Sequence, residues 1–403
     1  MNLSLAWRNI WRNRSRSFII LTSVAIGLFA GLFVLGLYAG MMRSRVRTVI
    51  DSEVSHIQIH HKNFKDDFDP ALVMDENLLK DSLRSVQGIQ SIAYRAVTQG
   101  MLSTATGSAG VQINGIKPAD EVLVSSLNTK IIEGQILNEE TKSHLLIGKK
   151  LADKLKVKLG SKVVLTFTDQ ESNMVAGAFR IVGIYQTINA AIDELNIFVN
   201  QQTLNTYLGL KQTCHEVAIR LHRDEDVEQV KLTLQSQFPQ YVVESWRECS
   251  PETDLMVSTL DQYSAIIIVI IMIALAFGII NTMLMSVLER TREIGMLTAL
   301  GMNRPRVFLL ILLETVMLTL VGVPLGLFLS WITLAYFQEV GIDISSFSGA
   351  AMSGFGFSSM IFPEFPSSSL LMVMMIVIST ALLAAIFPSL KAIKLQPADA
   401  LRQ

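Results

Sequence analysis

The chain has 403 residues, half of them hydrophobic, with a mean hydropathy of +0.41. That is too apolar for an ordinary soluble protein and too polar for a bundle made only of spans, so membrane helices carrying a large soluble domain are expected. The formal net charge is -1, which gives no global basic field to argue for nucleic acid as a partner.

At the N-terminus, residues 1–16 place Trp7, Ile10, Trp11 and Arg14 at helical spacing beside Arg8 and Arg12. The pattern predicts an interfacial helix at the inner headgroups, anchored by Trp and held by Arg. An apolar run from Phe18 to Tyr38 predicts the first span, over residues 17–40. It lacks a small-residue cleavage site and is longer than a signal-peptide core, so it is expected to be retained. Gly27 and Gly31, then Gly36 and Gly40, are small-xxx-small pairs that permit close helix approach, as are Gly322 and Gly326 further on. The contact between two copies of the chain is their expected location.

Residues 41–262 change character to short alternating strands, polar loops and a few amphipathic helices, which predicts a folded α+β domain of two subdomains. His56 to His60 and Lys162 to Phe167 alternate with period two. His144 to Gly160 reads as strand, helix and Gly-stopped turn. His215 to Leu221, Glu225 to Phe238 and Tyr241 to Trp246 read as strand, helix, strand, a small porter-type module. His56 and His60 share a strand face about 13 Å apart, and no Cys or carboxylate is spaced to complete a metal site with them, so ordinary strand roles are expected. Cys214 and Cys249 flank two strands whose parallel pairing would put them at opposite ends, which favours free thiols. Arg43, Arg45 and Arg47 just after the first span run against the charge rule, but long translocated domains escape it.

Apolar runs recur at Ala265–Leu288, Val307–Trp331 and Leu370–Phe387, giving expected spans at 263–288, 305–336 and 370–388. Arg8, Arg12, Arg14 and Arg16 precede the first span. Arg290, Arg292, Arg304 and Arg306 lie between the second and third, and Lys391, Lys394 and Arg402 follow the fourth. All three groups belong inside, which makes both termini cytoplasmic, with residues 389–403 as a tail. From Ile332 to Ser369 there is no Lys or Arg, and residues 337–369 are expected to form an outer loop. Between the second and third spans, residues 289–304 predict a short helix on which Ile294, Leu297 and Leu300 form one face while Arg290, Arg292 and Glu293 crowd the others. Gly301 ends it and Pro305 suits the first turn of the next helix. Glu314 lies within the third span, where a carboxylate is costly; a polar contact to another helix or to the short helix is expected. No Gly-x-x-x-x-Gly-Lys-Ser/Thr loop is present.

The string Glu289, Arg290, Thr291, Arg292, Glu293, Ile294, Gly295, followed by Ala299, Leu300 and Gly301, resembles the coupling segment of FtsX-like permeases. These are the membrane subunits of macrolide-exporter and lipoprotein-releasing ABC transporters. Gly148, Ala152, Leu155 and Gly160, the segments Phe179–Tyr185 and Glu194–Phe198, the N-terminal Ala6–Asn13 and the C-terminal Pro388 and Pro397–Arg402 extend the resemblance over most of the chain. Residues 102–128 and 345–357 are without a clear counterpart.

The resemblance implies a membrane α-helical fold of four transmembrane helices, with a large α+β extracytoplasmic domain, porter-like plus a second subdomain, inserted between helices 1 and 2. It implies a permease of the inner (cytoplasmic) membrane that works by mechanotransmission and is not itself an enzyme. The chain would bind no cofactor, with ATP hydrolysed on a separate ABC ATPase subunit that docks on Glu289, Arg290, Arg292, Glu293, Ile294, Gly295, Leu297, Leu300 and Gly301. A second permease protomer, identical or paralogous, membrane lipid, and a periplasmic lipoprotein carrier or adaptor are the other implied partners. Lipoprotein release is the leading expectation. Export of an amphiphile, drug or toxin through a periplasmic adaptor is the alternative, and a non-transporting signal transmitter of the cell-division kind is less expected, because its outer domain is usually far smaller.

Overall fold

A computed structural model describes residues 14–138, 142–299, 302–345, 356–365 and 370–393. It divides into two units: Met1–Met42 with Ser258–Asp343 and Met360–Gln403, and Arg43–Val257 with Ile344–Ser359.

The first unit is built on four helices long and apolar enough to cross a membrane: Arg14–Thr48, Leu260–Glu289, Arg304–Val340 and Leu370–Ile393. On the first, Val24, Leu28, Leu32 and Leu35 recur every three or four residues and are nearly inaccessible. They share one apolar core with Leu275, Ile279 and Met283 of the second span, Leu318 and Val323 of the third, and Val377, Ala381 and Ala384 of the fourth. The outward faces are apolar as well, with Phe18, Ile26, Val269, Phe277, Phe328 and Leu383 all exposed. Lipid is as apolar as leucine, so burial alone does not drive these helices together, and close backbone approach must do more of the work.

Glycine provides that approach within the chain. A Cβ on Gly322 would stand 3.0 Å from Val24 Cβ, and one on Gly326 would stand 2.8 Å from the Ala25 carbonyl oxygen; Gly27 faces Leu275 and Gly31 faces Ile271. These pairs close the first span against the second and third of the same polypeptide, which replaces the expectation that they meet a second copy. Gly36 and Gly40 receive residues 362–364: the Glu364 N–H donates to the Gly36 carbonyl at 3.0 Å, and a Cβ at Gly40 would collide with the Phe362 backbone.

The helices run further than hydropathy alone suggests. The first continues past residue 40 to Thr48 and then through π-helical turns to Val54. The fourth passes through Pro388 to Ile393; the Ser389 hydroxyl donates to the Ala385 carbonyl at 2.7 Å, and Pro388 is buried. The third reaches Val340 before Gly341, at φ +77, ends it. Within residues 337–369, expected as an outer loop, the third helix continues to Val340 and Ile342–Asp343 pairs with Met360–Ile361. The N-terminal Trp7–Arg12 pattern, and the tail beyond Ile393, lie outside the described residues.

The second unit is an α+β domain whose strands are β1 (Ile57–His61), β2 (Ile89–Ser103), β3 (Ser108–Ile116), β4 (Ile131–Gly134), β5 (His144–Gly148), β6 (Lys162–Thr168), β7 (Met174–Tyr185), β8 (Asn196–Asn200), β9 (Glu216–Leu221) and β10 (Tyr241–Ser245). They form one sheet in the order β10-β1-β9-β2-β3-β8-β5-β7-β4, with β6 pairing β2 and β7. Helices α1 (Glu76–Leu83) and α2 (Val227–Gln237) complete a β1-α1-β2 and β9-α2-β10 pair. Its strand order is that of the split βαβ module. The porter-type reading of residues 215–246 is thus half of a larger motif, whose two halves are separated in sequence by β3 to β8.

The two expected subdomains share a strand. The first half of β2, Ile89 to Arg95, pairs with β9, and the second half, Ala96 to Ser103, pairs with β3. Two cores result, one under β1, β9 and β10 with Leu79, Leu234 and Trp246, the other around Leu145, Leu165, Phe179 and Leu204. His56 receives a hydrogen bond from the Leu221 N–H at 3.2 Å and meets Asp224, while His60 and Lys65 both meet Glu244. The hydrogen bond to His60, aided by Lys65, holds the Glu244 carboxyl down to about 2. Cys214 and Cys249 are free thiols, the first buried. Arg45, one of the three arginines that run against the charge rule, is buried and bound to Glu53 at 2.7 Å.

Gly326→Leu is expected to push the third span off the first, costing about 1–3 kcal/mol, the usual penalty for overfilling a packed contact. Thermal unfolding of the purified chain in detergent checks this; an unchanged Tm contradicts the packing described.

Candidate functional site

The second span stops because the backbone turns at Arg290 (φ -101, ψ 16), and a nine-residue helix, Thr291–Ala299, follows. Its start is tied down locally: the Thr291 hydroxyl donates to the Leu288 carbonyl at 2.5 Å, and the Ile294 N–H donates to the Arg290 carbonyl at 3.0 Å. The third span begins at Arg304 with Pro305 in its first turn, where a missing N–H costs nothing.

Two features fix this helix to the spans. Ile294 is buried in the same apolar core that holds Val287 of the second span and Val307 and Ile311 of the third. Arg290 then reaches in two directions. Its Nε donates to Glu293 Oε2 at 2.9 Å, and its Nη1 donates to Glu314 Oε2 at 3.3 Å. The Glu314 side chain is 7% exposed and that of Arg290 14%, whereas Glu293 is 45% exposed. The inner pair is therefore poorly screened and the outer one largely hydrated.

Glu314 lies on the buried stripe Val307, Ile311, Thr315, Leu318 of the third span, and helical spacing alone puts it there. A carboxylate at that depth is tolerated when a cation meets it, and the geometry identifies that cation as Arg290. The sequence expectation of a contact to another helix or to the short helix is met by the residue at the joint between them. Arg292 and Met296 lie on the exposed side, and Gly295 is buried. The side chain of Leu297, and all of Leu300 and Gly301, lie outside the described residues.

The inserted domain holds a second buried charge cluster that spacing did not reveal. Arg95 of β2 donates to Glu121 Oε1 at 2.7 Å and to Glu216 Oε1 of β9 at 2.9 Å. Burial opposes its charge, but the two carboxylates outweigh that and raise its affinity for the proton. All three residues line a cavity of about 340 Å³ with Lys65, Asn114 and Cys249. Since the ions satisfy one another, the cluster pins β2 to β9 and to the helix Pro118–Val124.

Comparison with known proteins places the geometry in context. The FtsX-like permease C-terminal family matches residues 265–397, and the MacB-like periplasmic core domain matches residues 17–237. The second match runs through residues 102–128, which had no clear counterpart by motif. The chain is 24% identical to the lipoprotein-releasing system transmembrane protein LolC of Neisseria meningitidis serogroup B, over 97% of this chain and 95% of that protein. It is 22% identical to the macrolide export ATP-binding/permease protein MacB of Campylobacter jejuni, over 84% of this chain but only 54% of that protein. The crystal structure of the periplasmic region of MacB from Actinobacillus actinomycetemcomitans aligns with a TM-score of 0.37 at 14% identity, covering 52% of this chain and 95% of that one.

Arg290→Ala is expected to remove a cation from the buried Glu314 carboxylate and to cost about 3–5 kcal/mol, whereas Glu293→Ala should cost under about 1 kcal/mol. The double variant Arg290→Met with Glu314→Leu should recover most of the loss. Thermal unfolding of wild type, Arg290→Met, Glu314→Leu and that double variant forms the cycle, and additive effects of the two single changes would sink the assignment.

Proposed function

We infer that this chain, which belongs to the family of permeases joining a MacB-like periplasmic core domain to an FtsX-like C-terminal region, is an ABC transporter permease that acts by passing force through its helices. The observation that carries this reading is the clamp between Arg290 and Glu314, together with burial of Ile294. A push on the short helix meets two spans at once and has little slack to take up. The spans offer little polar lining for a hydrophilic route: among the described residues, and apart from Glu314 and from Arg45 near the end of the first helix, their buried polar groups are hydroxyls, such as Thr315, Thr319 and Ser330, which bond the preceding turn of their own helix.

The remaining roles follow from that reading. A separate ATPase subunit docks on Glu289–Gly301, with Arg292 and Met296 as its exposed contacts, and supplies the ATP chemistry. A second permease, identical or paralogous, completes the complex. Basic residues between the second and third spans and after the fourth put these ends in the cytoplasm of an inner-membrane protein, with the inserted domain outside.

Lipoprotein release is the cargo reading best supported, because the correspondence with the LolC relative covers 95% of that protein whereas that with the MacB relative covers only 54%. Export through a periplasmic adaptor is the second reading, favoured by the MacB-like core domain. Recovery of lipoprotein in solution from vesicles containing the complex, a lipoprotein and a soluble carrier supports the first. Retention of the lipoprotein, with co-purification of an adaptor and outer-membrane channel, supports the second.

Arg292→Glu combined with Met296→Ala is expected to reduce ATPase co-purification and cargo-stimulated ATP hydrolysis by about tenfold or more, equivalent to about 1.4 kcal/mol of docking energy. Wild-type assembly and turnover in that variant would contradict the docking site.

A further inference from the structure

The second span, Leu260–Glu289, has two faces of different kind. Ile268, Met272, Leu275, Ile279, Met283 and Val287 are buried in the core shared with the other spans. On the opposite side Ile270, Ala274, Phe277, Asn281, Leu284 and Leu288 follow one another at alternating steps of four and three residues, and all but the half-buried Leu284 are exposed. That spacing is the seam of a coiled coil, by which one helix packs along another.

Two features separate this seam from a surface that lipid alone covers. The first is Asn281, which has no hydrogen-bond partner among the described residues. Span hydroxyls such as Thr282, Thr315 and Ser330, by contrast, bond the preceding turn of their own helix. Asn281 lies seven positions inside Leu288, about 10 Å at roughly 1.5 Å per residue, which is deeper than a short carboxamide can reach back to the headgroups. Acyl chains offer it neither donor nor acceptor, and a polar group left unsatisfied in hydrocarbon is costly. The second feature is Gly278. A Cβ built on it would meet nothing within 4 Å, whereas one on Gly27, Gly31, Gly322 or Gly326 would meet another span of the same chain. With Ala274 one turn earlier, Gly278 leaves open space beside Asn281 that the described chain does not fill.

We propose that this seam docks on the same seam of a second copy of the chain, the Asn281 carboxamide pairing with that of the partner's Asn281. Copies inserted in one membrane share an orientation, so a two-fold axis along the membrane normal brings like residues together at like depth. A carboxamide carries a donor and an acceptor side by side and is its own complement, and a lone Asn in an apolar seam fixes register and the number of helices. The small residues at 274 and 278 let the two backbones approach. The proposal rests on the reading of Leu260–Glu289 as a span and says where the second permease of the complex is held. It uses none of the ATPase-docking residues, so the two readings fail separately.

The test uses the full chain in its membrane and in proteoliposomes. Under mild oxidation Ala274→Cys and Leu288→Cys should give disulfide-linked dimers above the level of the parent chain with its native Cys214 and Cys249. Leu320→Cys and Leu383→Cys, exposed on the third and fourth spans, should not. In proteoliposomes diluted with lipid, energy transfer between labelled copies reads the dimer directly. Asn281→Leu is expected to weaken it about three- to thirtyfold, the range for one interhelical hydrogen bond, while Asn281→Gln, which keeps the carboxamide, retains most of it. Gly278→Leu should weaken it by at least about tenfold and leave the unfolding of the detergent-solubilised monomer unchanged, because its own chain does not occupy that space. Crosslinks from positions 274 and 288 no stronger than those from 320 and 383 overturn the proposal, as does a dimer that Asn281→Leu leaves intact. A chain that stays monomeric alone, or crosslinks through this seam only to a different protein, overturns it as well.

Discussion

The ionic contact between Arg290 and Glu314 organises the membrane unit. Glu314 sits in a span where a bare carboxylate is costly, and Arg290, placed where the second span breaks, neutralises it. Because the pair joins the end of one span to the interior of another, it also decides where the intervening helix lies. Among the described side chains of that helix, Ile294 is the one in the common core, and the helix has too few residues to be stable alone. Its position is thus set by its attachments, which is the property a force-receiving element requires.

Much of this was legible in the sequence, for identifiable reasons. The four spans announce themselves by length and apolarity, and the break at Arg290 by the sudden density of charge. The strand, helix and Gly-stopped turn from His144 to Gly160 follow from alternation giving way to helical spacing, and the structure has β5, the helix Lys149–Leu155 and Gly160 at φ +83 in those places. Glu314 could be recognised as a residue needing a partner, because its cost in a span is general. Its partner could not be identified from spacing, since Arg290 is 24 positions away and contacts of that kind depend on how two helices pack.

Other features were hidden by the same logic. Span ends are poorly marked when a helix continues into water, so Thr48 and Ile393 lie beyond the apolar runs. Small-xxx-small pairs show that something approaches closely but not what, and here it is the chain's own first, second and third spans. The split βαβ module was half visible, because its two halves are separated by the whole second core. The triad of Arg95, Glu121 and Glu216 brings together residues up to 121 positions apart in sequence, beyond the reach of any periodicity.

The first helix runs from Arg14 to Thr48 without a break and then into π-helical turns, and the helix Pro251–Ser258 precedes the second span. Central to the account is the claim that the short helix and the third span travel together. Spin labels at Met296 and Leu320, both exposed, allow the distance between them to be measured by pulsed electron resonance in the assembled transporter without nucleotide and with ATP trapped. The account predicts one narrow, unchanged distance distribution in both states; a shift of about one helical turn, roughly 5 Å, would mean that the helix slides against the span and would contradict it.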